Sequence, residues 1–203
     1  MKIILDTSTL VSAIFFSGKP SQILSKIING EITLIITDDI YEEYKEVLSE
    51  ERFYQRSDLK KSDVLNFLNY LKKIAENVTP SKAYEAIKED SSDNRFLDAA
   101  VEGDANFIVS SDKKHILKLN KFKGIPILLP AIFLKELVLL KKVEKREKSY
   151  LLNVKESLKK RFKTYFIESK SSKKLSSREM LFQSILLRER IKKMKKEMKK
   201  FKK

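Results

Sequence analysis

Four acidic residues stand where apolar stretches of the chain give way to turns. Asp6 closes the run Lys2-Ile3-Ile4-Leu5, and Glu43 lies on a helix soon after Leu34-Ile35-Ile36. Asp93 opens the helix that begins Asn94-Arg95-Phe96-Leu97, and Asp112 follows Phe107-Ile108-Val109-Ser110-Ser111. If the apolar runs are parallel strands, three of these carboxylates fall at one edge of a sheet, where open α/β sheets place their chemistry. Clustered carboxylates repel one another, and a divalent cation is the natural way to hold them together. Hard ions such as Mg²⁺ or Mn²⁺ prefer oxygen ligands, and one or two of them can promote hydrolysis of a phosphodiester. Such a reaction leaves a 5′-phosphate and a 3′-hydroxyl.

Taken singly, each acid has an ordinary explanation. Asp93 is an expected N-cap, Asp112 a turn former, and Glu43 a solvated residue beside Glu42 and Glu46. Asp6, at the end of a buried strand with no obvious ionic partner nearby, is the hardest to explain that way. The single histidine, His115, cannot build a histidine-based metal site alone. A serine-nucleophile site lacks the G-x-S-x-G elbow that would support it. There is no cysteine, which excludes disulfides, thiolate zinc sites and cysteine nucleophiles and fits a reducing cytoplasm.

The elements that must position these acids follow from the hydrophobic pattern. Residues 2–5, 33–36, 107–110 and 125–129 are short, apolar and rich in β-branched side chains, as buried strands are. A weaker strand signal lies at 78–84. Helical periods occupy 7–15, 20–28, 40–48, 60–77, 93–102 and 130–140, with Thr7-Ser8-Thr9 and Asp38 or Asp39 as candidate caps. Strands alternating with helices predict a mostly parallel sheet covered on both faces, a three-layer α/β/α sandwich.

With these addresses assigned, the motifs resemble a known family. Ile3-Ile4-Leu5-Asp6-Thr7-Ser8-Thr9-Leu10-Val11-Ser12-Ala13 looks like the opening of a PIN domain. Glu42-Glu43-Tyr44-Lys45-Glu46-Val47-Leu48, Asp93-Asn94-Arg95-Phe96-Leu97 and Ile108-Val109-Ser110-Ser111-Asp112-Lys113 resemble its later acidic segments, in order and spacing, over about residues 1–140. The nearest likeness is to the toxin components of toxin–antitoxin systems. The resemblance implies Mg²⁺- or Mn²⁺-dependent cleavage of single-stranded RNA, with Asp6, Glu43, Asp93 and Asp112 as catalytic metal ligands. It implies that Ser8 and Ser110 or Ser111 orient ligands or water, and that exchanging Asp6 or Asp93 for Asn abolishes cleavage with the fold intact. Two departures stand out. Ser8 occupies a position that is asparagine in many relatives. An acid often found just after the fourth aspartate is replaced by Lys113-Lys114-His115, which implies a weaker second metal. Asp98, about 140° round the helix from Asp93, ranks as a supporting or surface residue.

Charge divides the chain differently from hydropathy. The net charge is +15, yet residues 1–140 hold 19 basic and 21 acidic residues while 141–203 hold 24 and 7. The body is therefore slightly acidic, and residues 141–203 form a basic helical extension. Its second helix repeats Leu187, Ile191, Met194, Met198 and Phe201 along one seam, between lysines that include Lys192, Lys193, Lys195, Lys196, Lys199 and Lys200. With Phe162, Tyr165, Phe166 and Phe182 interleaved, RNA binding is the first reading of this tail, DNA not being excluded. Packing of the seam on the body or on a second copy, an anionic membrane surface, and restraint of the acidic cleft are alternatives. The apolar residues 134–140 also offer a face for a homodimer, and the toxin resemblance implies an antitoxin partner. No apolar run approaches the ~18 residues of a membrane span. The alternative to a nuclease is a non-catalytic RNA-binding or assembly module on the same scaffold.

Overall fold

The computed structural model describes residues 1–55 and 57–171, with side chains through 157 and at 160. The chain falls into two units, Met1–Lys141 and Lys142–Lys203.

In the first unit, β1 (Lys2–Leu5) leads through α1 (Thr7–Phe15) and α2 (Lys19–Ile28) to β2 (Thr33–Ile36). Then α3 (Asp38–Leu48) and α4 (Lys61–Ile74) lead to the two-residue β3 (Glu76–Asn77). After a loop and a short 3₁₀ turn (Ser91–Asp93), α5 (Asn94–Glu102) leads to β4 (Phe107–Val109). A second 3₁₀ turn (Ile116–Leu119), β5 (Lys121–Phe122), β6 (Ile125–Leu128) and α6 (Pro130–Ser171) complete the order.

The six strands lie in the order β3-β2-β1-β4-β6-β5, all parallel except the β5–β6 pair. The expected mostly parallel sheet, with helices on both sides, is present. The chain steps outward from β1 to β2 and β3, then returns to place β4 on the other flank of β1. The sheet therefore reverses direction between β1 and β4, the crevice where such folds bind ligands. Leu5 pairs with Val109, so Asp6 and Ser110 emerge side by side at the carboxyl ends of these two strands.

Burial explains the strand choice. Ile3, Ile4, Leu5, Leu34, Ile35, Ile36, Ile108 and Val109 are fully buried, as a sheet covered on both faces requires. Tyr44, Phe96 and Phe133 fill the largest volumes around them. Gly103 ends α5 where an added Cβ would lie 2.7 Å from the Ile35 Cδ1, so only glycine lets helix and strand approach this closely.

Several local expectations are corrected. The N-cap of α1 is Asp6, not one of the following hydroxyls, and that of α3 is Thr37, whose Oγ1 accepts from the Ile40 amide. α4 stops at Ile74, and the third strand lies at 76–77 rather than 78–84. Val78 still donates to the Ile36 carbonyl, but Pro80, which lacks an N–H, stands two residues on. The antiparallel β5 was not foreseen.

In the second unit, α6 continues through Ser171, three residues into the polar stretch 169–177, whose composition predicts a loop. The remainder of that stretch, and the seam at 187–201 with its lysines, lie outside the described residues. Among the described residues, no helix is long and apolar enough to cross a membrane.

Candidate metal centre

Asp6 is 2 % exposed and is the most heavily bonded acid of the molecule's switch-point crevice. Its Oδ1 accepts from the Thr9 amide at 2.7 Å, which caps α1. Its Oδ2 accepts from the Ser8 hydroxyl at 3.0 Å, from the Ser110 hydroxyl, and from the amides of Ser111 and Asp112. Ser110, itself buried, also accepts from the Asp112 amide at 2.9 Å. Ser111 turns its hydroxyl to Thr9 at 2.9 Å and reaches Asp6 only through its backbone. Ser8 and Ser110 thus orient Asp6 directly. Four donors converge on Oδ2, so an Asn side chain would set an amide or a weaker acceptor against them. The expectation that Asp6→Asn is silent for the fold does not follow from this geometry.

Asp112 is likewise committed. Its carboxylate accepts from the amides of Lys114 (2.8 Å), His115 (3.1 Å) and Ile116 (3.2 Å), closing the turn after β4. Burial works to raise its pKa, but these three amides and the adjacent His115 outweigh it and hold the carboxyl below its ordinary range.

Glu43 and Asp93 differ. On α3, Glu43 Oε1 accepts from the Thr7 hydroxyl. Its Oε2 is buried and receives no hydrogen bond. Arg95 Nε lies 3.1 Å from that oxygen, but its N–H is spent on the Ser92 carbonyl at 2.8 Å. The arginine therefore sits beside the oxygen as a charge and not as a donor.

Asp93 holds the N-cap position of α5 yet makes no side-chain capping bond. Asp90 has taken over that task one turn earlier, accepting from the Ser92 amide (3.2 Å) and hydroxyl (2.6 Å). Burial, then the charges of Asp90 and Asp112, push the Asp93 pKa up to about 6, against an opposing pull from His115. Among the described residues, the one polar partner of its carboxylate is His115, whose Nδ1 lies 3.3 Å from Oδ2.

The structure thus brings Asp6, Glu43, Asp93 and Asp112, with Ser8 and Ser111, to one open cleft of about 910 Å³. Asp98 does not join it: its Oδ1 accepts from the Tyr84 amide at 2.9 Å and holds the loop before α5. Asn94 fixes the same loop from inside. Its side chain accepts from the amides of Ala86 and Ile87 and donates to the carbonyls of Ile87 and Ser91. Asp90 and His115 line the cleft without having been singled out as ligands, as do Phe16, Arg52, Phe53, Lys113 and Lys114. Phe16 is 64 % exposed there.

The donor set fits a hard divalent cation. It is rich in carboxylate oxygen, it has a buried oxygen at Glu43 with no donor, and the Asp93 pKa is raised by burial and then by its anionic neighbours, costs that a bound cation relieves.

No curated protein matches the chain. A chain from the structure of FitAB bound to an IR36 DNA fragment is similar over 63 % of this chain and 94 % of its own, at 12 % identity and a TM-score of 0.39. The PIN domain family model matches residues 2–114, which include all four acids. With the parallel sheet and the carboxylates at its switch point, that match over more than half of the sequence shows that the chain belongs to the PIN domain family.

Proposed function

We propose that the protein is a metal-dependent endoribonuclease that hydrolyses phosphodiester bonds in single-stranded RNA. The observation that carries this reading is the underbonded pair, Glu43 with its buried donorless oxygen and Asp93 with its raised pKa, facing a cleft beside two rigidly held aspartates. When bound, Mg²⁺ or Mn²⁺ supplies Lewis acidity and a water acidified toward neutral pH. Glu43 and Asp93 would hold the ion, with Asp6 and Asp112 fixing its position from the strand side. Ser8 and Ser110 keep the Asp6 carboxylate in one orientation. Arg52, Lys113 and Lys114 line the same cleft and offer cations to backbone phosphates on either side of the acids. The open ring of Phe16 offers a stacking face to an unpaired base, which favours a single strand over a duplex.

The basic extension 141–203 supports the same reading through its charge, since lysines interleaved with aromatic residues suit a nucleic-acid backbone and exposed bases. A homodimer through the apolar residues 134–140, where Val138, Leu139 and Leu140 are exposed, and an antitoxin partner belong to this proposal. Mass measurement of the chain expressed alone, and with the flanking reading frame, tests both.

The test of the function is cleavage of a generic single-stranded RNA with Mn²⁺ or Mg²⁺, with and without chelator, beside calorimetry of metal binding. Metal-dependent cleavage lost in Asp93→Asn supports the reading. Metal binding and RNA binding without cleavage would instead favour the non-catalytic module. A chain ending near residue 140 separates the roles of the tail: weaker RNA affinity with a shallower salt dependence marks nucleic-acid binding, and raised activity marks restraint.

A further inference from the structure

The chain's only histidine sits inside the acidic cluster, at a place where the sequence departs from the family pattern. His115 Nδ1 lies 3.3 Å from Asp93 Oδ2, 3.4 Å from Asp112 Oδ2 and 3.9 Å from Asp90 Oδ2. Ligand atoms of Asp90, Asp93 and His115 all fall within 4.8 Å of one another. Adjacent ligands on an octahedral ion with bonds of about 2.1 Å are separated by about 3 Å, the square root of two times the bond. Two of the three separations are close to that edge.

The supports on either side favour this convergence. The His115 amide is tied to Asp112 Oδ2 at 3.1 Å, so the imidazole starts from a fixed point. The two Ser92 bonds occupy Asp90 Oδ1 and leave Oδ2 for the cluster.

We propose that His115 Nδ1 is a direct ligand of the divalent ion, with Asp93 Oδ2 as its neighbouring oxygen and Asp90 Oδ2 beside them, and that this makes the centre a mixed nitrogen–oxygen site preferring Mn²⁺ to Mg²⁺. The inference rests on the reading of the cleft as a cation centre and specifies its ion. An imidazole nitrogen is a softer donor than a carboxylate oxygen. Mg²⁺ and Mn²⁺ both favour oxygen, but Mn²⁺, as a first-row transition ion, takes an imidazole nitrogen more readily than Mg²⁺ does. The competing explanation is an imidazolium that merely neutralises the acids. That alternative predicts the opposite sign, because a resident cation competes with the metal and its removal strengthens binding.

The full chain loaded with Mn²⁺ alone, observed by electron spin-echo spectroscopy, tests the bond. Because there is one histidine, an imidazole ¹⁴N coupling is assigned without ambiguity. Wild type should show the coupling and bind Mn²⁺ at least tenfold tighter than Mg²⁺ by calorimetry. His115→Gln should lose the coupling and most of the Mn²⁺ preference, with Mg²⁺ affinity changed less than about threefold. Asp90→Asn should weaken Mn²⁺ binding but keep the coupling. Bound Mn²⁺ without the coupling in wild type, or tighter Mn²⁺ binding in His115→Gln, overturns the inference and leaves the cation centre standing. Absence of any Mn²⁺ or Mg²⁺ binding by wild type overturns both.

Discussion

The strand side of the cleft and its helix side treat the same chemical group in opposite ways. At the strand ends, Asp6 accepts five hydrogen bonds and Asp112 three, mostly from backbone amides that the sheet and its turns hold in place. On the helices, Glu43 keeps a buried oxygen without a donor, and Asp93 sits among anions with its pKa raised to about 6. The strand side stabilises negative charge with the protein's own donors. The helix side leaves part of that charge uncompensated until something else arrives. Rigid supports and unmet acceptors together suit a preorganised ion site, since the fold fixes the geometry and the ion contributes the missing stabilisation.

The largest expected effect tests the strand side. Asp6→Ala leaves its donors buried and unmatched, at about 1–3 kcal/mol for each one that water cannot reach. Thermal unfolding should show a loss of several kcal/mol or a failure to fold. Glu43→Gln, by contrast, should unfold near the wild-type temperature without metal, because the buried Oε2 it alters receives no hydrogen bond, although the Arg95 charge beside it loses its partner. Equal damage from the two exchanges would erase the contrast.

Metal removal is next. Saturating Mn²⁺, at about one hundred times its dissociation constant, should stabilise wild type by about 2.7 kcal/mol. Asp93→Asn should lose most of that increment while its metal-free melting at neutral pH rises above wild type, because the charge removed is one the fold disfavours. A metal increment unchanged in this variant would remove Asp93 from the site.

The pH dependence separates the two sides by sign. For Asp93 the native carboxyl binds its proton more tightly than the unfolded one. Its contribution therefore destabilises the metal-free chain as pH rises from about 3.8 toward 6, and metal affinity should fall toward tenfold per unit below about pH 6. Asp112 has a lowered pKa, so its contribution is present above the ordinary carboxylate value and is lost as pH falls through its folded value. Calorimetry of Mn²⁺ binding between pH 5 and pH 8 checks the first, on the order of the range a buffer series covers. A flat profile would contradict it.

The smallest effect lies at the cleft wall. Phe16→Ala should weaken single-stranded RNA binding by about 1–3 kcal/mol, the range for one stacked base, with metal affinity and duplex binding unchanged. Oligonucleotide anisotropy measures it, and an unaltered affinity would withdraw the stacking role.

What the sequence could and could not disclose follows the same division. The strands were legible because a sheet buried on both faces needs unbroken apolar runs, and Ile3-Ile4-Leu5 and Leu34-Ile35-Ile36 are such runs. The four acids were legible from their places beside these runs. Asp90 was not, because Glu89-Asp90-Ser91-Ser92 has the composition of any polar loop. The capping rule gave Asp93 the wrong local job, since a preceding 3₁₀ turn capped by Asp90 cannot be read from residue preferences. His115 was set aside as a lone histidine. Its neighbours are assembled by the turn that Asp112 closes and by a loop more than twenty residues earlier, a juxtaposition with no periodic signature. Asn94 lay in plain view inside the third motif, but its hydrogen bonds to the loop three to eight residues earlier leave no trace in residue preferences.

Asn94 has one more consequence. Its single amide clasps residues 86, 87 and 91 while its backbone begins the helix behind Asp93. The gap between the Asp90 and Asp93 carboxylates is thereby gauged by one side chain, like a shim between two plates. Insertions before residue 86 can lengthen the loop without altering that gap, whereas a change between 87 and 93 must reset it.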